Sequence, residues 1–359
     1  MMPFLRNTWY LASWSQDVAP GKLLGRKIIG ELVLLYRTAD GQAVALEDRC
    51  AHRMAPLSRG RVEGDRVVCG YHGLEYGPEG QCVHNPYGKP PALAKVRRFP
   101  LVEKHQAMWI WMGEATPDES QIPDFSILDV PDETAAMRRD HVTFDAPWDL
   151  IADNLIDLSH VSFLHDGILG NAEMVGSKSV LEDSPDGHQT VTVSRDSFGT
   201  APAGMFDMLF HQDGKPVDSW MKMRWNAPAA FLLDVGVTEP GKPRKEGTGY
   251  FGVHILTPET EKTTHYNFAA TRWNIRPDSE TAEMKEKISN LRRFAFAEQD
   301  EPMLAAQAKV WEVAGPERTR PVWLDVDVGI ARWRKLVEQR LETEGHRASG
   351  GRSLAVVNP

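Results

Sequence analysis

The sequence predicts an α+β chain of two domains: a small all-β domain, then a larger one with helices packed on a central antiparallel sheet. Three observations carry this. At 359 residues the chain is long for a single core. Short runs rich in branched and aromatic residues, broken by turns, fill the first 115 residues. Helical periodicity appears only later, around 148–165, 284–312 and 329–344, with strand-like runs between. The bulk composition is that of an ordinary globular protein, 42% hydrophobic and 25% charged. A formal net charge of −9 argues against a nucleic-acid surface. No run is long and apolar enough to predict a membrane span. Met1 to Trp14 lacks the apolar run and cleavage site of a signal peptide. With only three cysteines, the expected setting is a reducing cytoplasm.

Taken in order, Lys27–Ile29, Leu32–Tyr36 and Ala43–Glu47 read as strands, with Ala39-Asp40-Gly41 as a hairpin signal. Then comes the most informative stretch. Cys50-Ala51-His52 is followed by sixteen residues and by Cys69-Gly70-Tyr71-His72. A zinc finger usually keeps its cysteines together and its histidines together. Here each half carries one of each, on turn-rich loops. That order suits a two-iron, two-sulfide cluster, one iron taking both sulfurs and the other both nitrogens, with its potential raised by the imidazoles. A zinc site is the alternative. Cys82 has no partner and reads as a buried thiol. Met108–Met112 reads as the strand that closes the first domain, about 1–115. Residues 116–142, with Pro117, Pro123 and Pro131 among many acids, read as a linker.

The second domain, about 143–345, begins with the helical pattern Trp148 to His165. Asn154, Asp157 and His160 step by three and share a face. His165 falls off that face, so for both imidazoles to meet one metal the helix must bend or end between them. Asp166-Gly167 is a credible stop. Strands are expected at Thr190–Ser194, Trp220–Trp225, Phe231–Val237, Tyr250–Leu256 and His265–Ala269. Gly247-Thr-Gly249-Tyr-Phe-Gly252 spells GxGxxG, but it precedes a strand-like run and is rejected as a dinucleotide fingerprint. Met205, Phe206, Met208, Leu209 and Phe210 read as core. Met284 to Glu312 is a long helical pattern, Gly329–Glu344 a terminal amphipathic helix, and 346–359 a mobile tail.

The CxH-x16-CxxH motif, with Arg49, Arg53, Pro56, Leu57 and Gly73 around it, resembles that of Rieske proteins. Asn154-x2-Asp157-x2-His160-x4-His165 resembles the iron-site signature of Rieske non-heme iron oxygenases. The likeness spans nearly the whole chain. Arg6-Asn7-Thr8-Trp9-Tyr10 and Cys82-Val-His84-Asn85-Pro86 are similar to the branch holding vanillate and dicamba O-demethylases and toluenesulfonate methyl-monooxygenase.

By that resemblance Cys50, His52, Cys69 and His72 hold a [2Fe-2S] cluster, and a helix-grip-like catalytic domain holds mononuclear Fe(II). His160 and His165 are then iron ligands, Asn154 is a group near the iron, and Asp157 joins the iron site to a cluster histidine, His72, of a neighbouring subunit. The third ligand aligns as Asp300, set by Ala306-Gln307 downstream. Glu298 and Glu301 are rivals, because Gln299 replaces a customary acid and Pro302 is unusual. Asn226 and His254 resemble substrate-pocket positions. Arg224 and Arg272 are among the arginines that could meet a substrate carboxylate. The resemblance further implies a homotrimeric terminal oxygenase of aromatic catabolism. It would consume O2 and electrons from a separate NAD(P)H-dependent reductase, and would demethylate a methoxylated aromatic acid such as vanillate. Hydroxylation of an aromatic methyl group or ring is the alternative within enzymes, and a Rieske electron carrier without its own catalysis the alternative outside them. A carrier has no use for His160, His165 and a carboxylate beyond the cluster domain.

Overall fold

The structure is a computed structural model that describes residues 2–130, 135–182, 190–315 and 321–345. The tail from 346 and residues 131–134 of the proposed linker lie outside the described residues. The chain divides into two compact units. One comprises Arg6–Asp124 with Thr257–Glu261. The other comprises the first five residues, Phe125–Leu256 and the chain from Lys262 onward.

The N-terminal unit is built from short antiparallel strands in three sheets. β1 (Thr8–Trp14), β2 (Leu24–Ile28), β3 (Glu31–Arg37) and β4 (Ala43–Glu47) come before the cluster motif. β5 (Arg61–Glu63), β6 (Arg66–Val68), β7 (Glu75–Tyr76) and β8 (Cys82–His84) surround it, and β9 (Arg98–Phe99), β10 (Leu101–Lys104) and β11 (Ala107–Met112) follow. The sheets run β1-β11-β10, β2-β3-β4-β9 and β5-β6-β7-β8. β1 and β11 are buried along their whole length. Trp9 and Trp111 meet edge to face at 5.4 Å between ring centres, a favoured aromatic geometry. Each such ring removes roughly 150–250 Å² from water, so this pair of strands anchors a unit that has few long elements. The Ala39–Gly41 hairpin forms between β3 and β4 as expected, with Gly41 at φ 90°.

The second unit is organised on a seven-stranded antiparallel sheet, ordered β12-β18-β17-β16-β15-β14-β13. Its strands are β12 (Asp140–Phe144), β13 (Ser179–Glu182), β14 (Thr190–Thr200), β15 (Val217–Asn226), β16 (Ala230–Thr238), β17 (Thr248–Pro258) and β18 (Thr264–Trp273). All five expected strands are present. β12 and β13 were not foreseen, and β12 begins inside the stretch read as linker. In β15 the side chains alternate: Met221, Met223 and Trp225 are buried, while Lys222 and Arg224 are half-buried. The period of two gives one face to the core. The GxGxxG run lies in and before β17. A Cβ on Gly249 would stand 2.1 Å from the Val235 carbonyl oxygen of β16. These glycines therefore permit close strand contact.

Among the described residues five α-helices complete the unit: α1 (Trp148–Ile156), α2 (Gly204–Leu209), α3 (Ala282–Phe294), α4 (Glu301–Ala314) and α5 (Val328–Thr343). The long helix expected from Met284 to Glu312 is interrupted: residues Ala295–Asp300 form a π turn between α3 and α4. Pro302 explains the break. Proline has no N–H and its ring crowds the carbonyl four residues back, so a regular helix would be broken there. A wider turn just upstream accommodates it. α1 and α5 are clamped by Arg334, which donates to Asp153 at 2.8 and 3.1 Å from Nε and pairs with Asp149 at 3.6 Å. Among the described residues no helix is long and apolar enough to cross a membrane.

Candidate active site and metal centres

The two halves of the cluster motif fold alike. Cys50 N–H donates to the Ala55 carbonyl and the Cys50 carbonyl accepts from Met54 N–H. Cys69 N–H donates to the Leu74 carbonyl and its carbonyl accepts from Gly73 N–H. Each loop thus closes with the same two bonds, at four and five residues after the cysteine. Each closes through a left-handed residue, Met54 at φ 59° and Gly73 at φ 73°. Cys50 and Cys69 are buried, whereas His52 is exposed and His72 half-buried. The two imidazoles lie 4.6 Å apart, centre to centre. Two sulfurs inside and two nitrogens outside match the donor set of a [2Fe-2S] cluster with unlike irons. A single zinc would need all four donors around one point. Among the described residues, the group that converges that tightly is a different one. Tyr76 supports the inner end: its hydroxyl accepts from Ala51 N–H at 2.9 Å and lies 3.3 Å from Cys50 Sγ. Cys82 is half-buried, its thiol on the His84 carbonyl, and burial raises its pKa.

The converging group is His160, His165 and Asp300, whose ligand atoms lie within 4.8 Å of one another. The path to it differs from the sequence reading. α1 ends at Ile156, before Asp157, so Asp157 and His160 do not share a helical face with Asn154. The cause is Asp157 itself. Its backbone is extended (φ −80°, ψ 101°) and its carboxylate accepts from Ser159 N–H at 2.7 Å and from the Ser159 hydroxyl at 2.5 Å. This local bond competes with the next helical turn. The helix stop therefore comes well before Asp166-Gly167, and a 3₁₀ turn carries His160.

Both imidazoles are oriented by the same device. His160 Nδ1 donates to the Asp157 carbonyl at 2.5 Å. His165 Nδ1 donates to Gln299 Oε1 at 2.9 Å. A proton held on Nδ1 leaves the Nε2 lone pair for a metal. The two Nε2 atoms face Asp300, at 3.8 Å for His160 and 3.3 Å for His165. Asn154 Nδ2 donates to Asp300 Oδ1 at 3.2 Å. Two histidines and one carboxylate, with room left over, are the donor set of a non-heme iron oxygenase. The π turn is what brings Gln299 and Asp300 to the site together. Glu298 is exposed, and Glu301 is bonded to Asp145 N–H at 3.3 Å, so neither joins the group. Burial acts to lower the His165 pKa, but the hydrogen bond and charge of Asp300, with Gln299, outweigh it, and the net shift is upward from 6.5.

Beside this group lies a cavity. Its walls are mainly apolar: Leu155, Leu158, Val161 and Leu169 near α1, Phe206 on α2, Met221, Met223, Leu233 and Val235 on the sheet, and Phe296 on the π turn. A metal set opening into a cavity walled mainly by apolar and aromatic side chains suits an apolar or aromatic substrate. Residues 8–100 match the Rieske [2Fe-2S] domain family, and residues 144–343 match the vanillate O-demethylase oxygenase C-terminal domain family.

The chain belongs to the vanillate O-demethylase type of Rieske oxygenase.

It is similar to the oxygenase component of chloroacetanilide N-alkylformylase from Rhizorhabdus wittichii (strain DC-6 / KACC 16600), with 34% identity over 95% of this chain and 97% of that one. It is also 34% identical to the oxygenase component of dicamba O-demethylase from Stenotrophomonas maltophilia, over 96% and 99% of the two chains. The crystal structure of dicamba monooxygenase bound to 3,6-dichlorosalicylic acid superposes with a TM-score of 0.88 at 32% identity, covering 96% of this chain and all of that one. This Rieske oxygenase is therefore an enzyme, the terminal component of a multi-component monooxygenase. Its cofactors are a [2Fe-2S] cluster and non-heme iron, and O2 is its co-substrate.

Of the two pocket positions expected in the Rieske oxygenase, the structure places one in the cavity wall. His254 lines it, with Nδ1 2.6 Å from the Tyr266 hydroxyl and Nε2 without a protein partner. Burial and then the charge of Arg292 hold His254 well below its ordinary pKa, so it is neutral. Asn226 is not in the wall. It ends β15 and accepts from Arg224 Nε at 3.0 Å. Arg224 and Arg272 are absent from the lining too, and Arg272 is spent on Ser279. Phe206, read as core, is both core and wall. Sequence reasoning missed Tyr250, Tyr266, Gln299 and Arg292. Gln299 had a signal, since it stands where an acid is customary.

Proposed function

We propose that this Rieske oxygenase O-demethylates a methoxylated aromatic acid of the vanillate class, releasing formaldehyde. The observation that carries the reading is the His160–His165–Asp300 group at the edge of an apolar cavity. The dicamba O-demethylase likeness supports the reaction type. His160, His165 and Asp300 would hold the iron, and Cys50, His52, Cys69 and His72 the cluster. When bound, these two groups supply electrons and the activation of O2. The reaction consumes one O2, two electrons and two protons, and yields water and a hydroxylated methoxy carbon. That hemiacetal collapses to a phenol and formaldehyde.

The chain's own residues have definable tasks. Asp157 and Gln299 fix the ring orientation of His160 and His165. Asn154 holds one oxygen of Asp300, so the carboxylate keeps a defined face. The aliphatic and aromatic walls hold a ring and exclude water from the reacting centre. Asp157 is 21% exposed and His160 20%, which suits an acid that meets His72 of a second copy. We accordingly assign a homotrimer with electron transfer between subunits, an NAD(P)H-dependent reductase as donor, and a cytoplasmic setting. The units are proposed to be a Rieske domain to about residue 115, a linker to 142 and a catalytic domain to 345.

The test is formaldehyde release by purified protein given O2, a surrogate reductase and a panel of methoxybenzoates, vanillate among them. Formaldehyde in step with substrate loss, abolished in His160→Ala, is the expected result. A benzylic alcohol from methylated aromatics without formaldehyde would replace demethylation by methyl hydroxylation. Neither product, from protein holding both metal groups, would overturn the substrate class.

A further inference from the structure

We infer that Tyr266 is a positioning residue of the substrate cavity: its hydroxyl donates to His254 Nδ1, so that His254 meets the ligand with a proton on Nε2 and selects a ligand bearing a hydrogen-bond acceptor. This deepens the proposed function and rests on it in one respect, that the cavity is the substrate site. A carboxylate oxygen of an aromatic acid is an acceptor of the required kind.

His254 and Tyr266 lie on the neighbouring strands β17 and β18. His254 is 2% exposed and lines the cavity, whereas Tyr266 is 1% exposed and does not. The phenol ring is packed among Phe144, Phe268 and Phe296, with ring centres 5.1, 5.4 and 5.6 Å away. Among the described residues its hydroxyl has a single hydrogen-bond partner, His254 Nδ1 at 2.6 Å. His254 Nε2 is buried and has none. The ring is neutral, so only one of its nitrogens carries a proton.

The bond can run either way, and the directions differ in what they strand. If Nδ1–H donated to the phenol oxygen, the phenol's own proton would be left in the aromatic core, out of a ligand's reach. If the phenol donates to Nδ1, the imidazole proton is on Nε2 of a residue that lines the cavity, where a ligand acceptor can take it. Burying an unmet donor costs more than leaving a lone pair unused, so the second direction is the stable one. A glycine keeps Nε2 open. Gly252 falls between Tyr250 and His254 on the same face of β17. A Cβ there would stand 3.0 Å from Nε2, 3.4 Å from the Tyr250 ring and 3.5 Å from Leu233 Cβ. Tyr250 and Leu233 are both cavity wall.

The experiment compares two uncharged ligands of one shape, methoxyacetophenone and the matching isopropenylanisole, in which a methylene replaces the carbonyl oxygen. Titration calorimetry follows each positional isomer binding to the holoenzyme with the cluster oxidised and O2 absent. Wild type is expected to bind the acetyl ligand of the best-fitting isomer about fivefold or more tightly than its partner, because the alkene leaves the Nε2 proton buried and unmet. Tyr266→Phe should lose most of that preference by weakening the acetyl ligand alone. Gly252→Ala should lose it by covering Nε2. Equal binding of the two ligands by wild type, or binding of neither, overturns the inference. So does a preference that survives in Tyr266→Phe or in Gly252→Ala, and so does equal loss for both ligands in Tyr266→Phe, which would mark a packing role. If Tyr266→Phe fails to fold, 3-fluorotyrosine in place of Tyr266 decides. Its more acidic hydroxyl is a stronger donor and should widen the preference, whereas an unchanged or narrower one overturns the inference. An acetyl preference without formaldehyde from any methoxybenzoate would sink the demethylation reading and leave this one. Formaldehyde without the preference would do the reverse.

Discussion

Gln299 offers the sharpest single test of the metal site. Its side-chain oxygen takes the Nδ1 proton of His165 at 2.9 Å, and His165 is 1% exposed. In Gln299→Leu that N–H is buried with nothing to receive it. Leaving a buried donor unsatisfied costs about 1–3 kcal/mol, or roughly five- to 150-fold in an equilibrium constant. Loss of an outer partner to a metal-binding histidine costs roughly ten- to a hundredfold in metal affinity, and the two ranges agree. Gln299→Glu should move the other way, because a carboxylate holds the same proton more strongly and raises the basicity of Nε2. Competition against a chelator, under anaerobic conditions, measures Fe(II) affinity directly. The cluster absorption serves as a control, since Cys50, His52, Cys69 and His72 are in the other unit. If Gln299→Leu holds iron as tightly as wild type, His165 is not oriented by this bond, and its role as an iron ligand is in doubt.

Three other outcomes are expected. Tyr76→Phe removes a hydrogen bond at Cys50 Sγ. Loss of a bond worth about 1 kcal/mol to that sulfur should lower the one-electron potential by roughly 50 mV, read by redox titration of the cluster. Arg334→Met strands Asp149 and Asp153, with Asp149 1% exposed, and should cost about 3–5 kcal/mol of stability in denaturant; a loss under 1 kcal/mol would mean that α5 is not clamped this way. Iron-free protein should show a pH dependence set by His165. Its folded pKa lies above the ordinary 6.5, so its contribution to stability is complete below 6.5 and is lost as pH rises through the folded value. Iron binding must displace that proton, so Fe(II) affinity should climb across the same window and then level off. Thermal unfolding of chelator-treated protein, and chelator competition at several pH values, check the two halves.

The parts legible in the sequence were those written in one short stretch. Cys50, His52, Cys69 and His72 announce themselves because both halves use the same loop, closed by the same backbone bonds. The five expected strands were legible because branched residues recur with the right period. What escaped depends on backbone choices that side-chain periodicity does not record. Leu155 and Leu158 continue the apolar spacing of α1, so nothing in the pattern shows that Asp157 takes the Ser159 N–H and ends the helix. The run from Met284 to Glu312 keeps a helical stripe through the π turn, and only Pro302 hints at the break. Arg292 and Arg293 are neighbours of one type, and one is buried while the other is exposed. Composition cannot choose between them, because the choice is made by the rings of Tyr250, Phe268 and Phe296, which come from other elements.

The burial of each group of donors follows what it must do. An electron can enter only where a partner can approach, and His52 is exposed while both cysteines proposed to hold the cluster are covered. O2 chemistry needs the opposite, and His165 and Asp300 are 1% and 2% exposed beside an apolar cavity. His160 stands between these conditions, and so does Asp157, whose two ends serve different neighbours. Its carbonyl fixes the His160 ring, while its carboxylate holds Ser159 near the surface. A change in how that carboxylate is bound therefore acts on a backbone one bond away from the His160 contact. The residue proposed to admit electrons is thus also the one that orients a proposed iron ligand. Replacing it by alanine should disturb iron geometry as well as electron supply, whereas Asp157→Asn, which keeps an acceptor for Ser159, should separate the two.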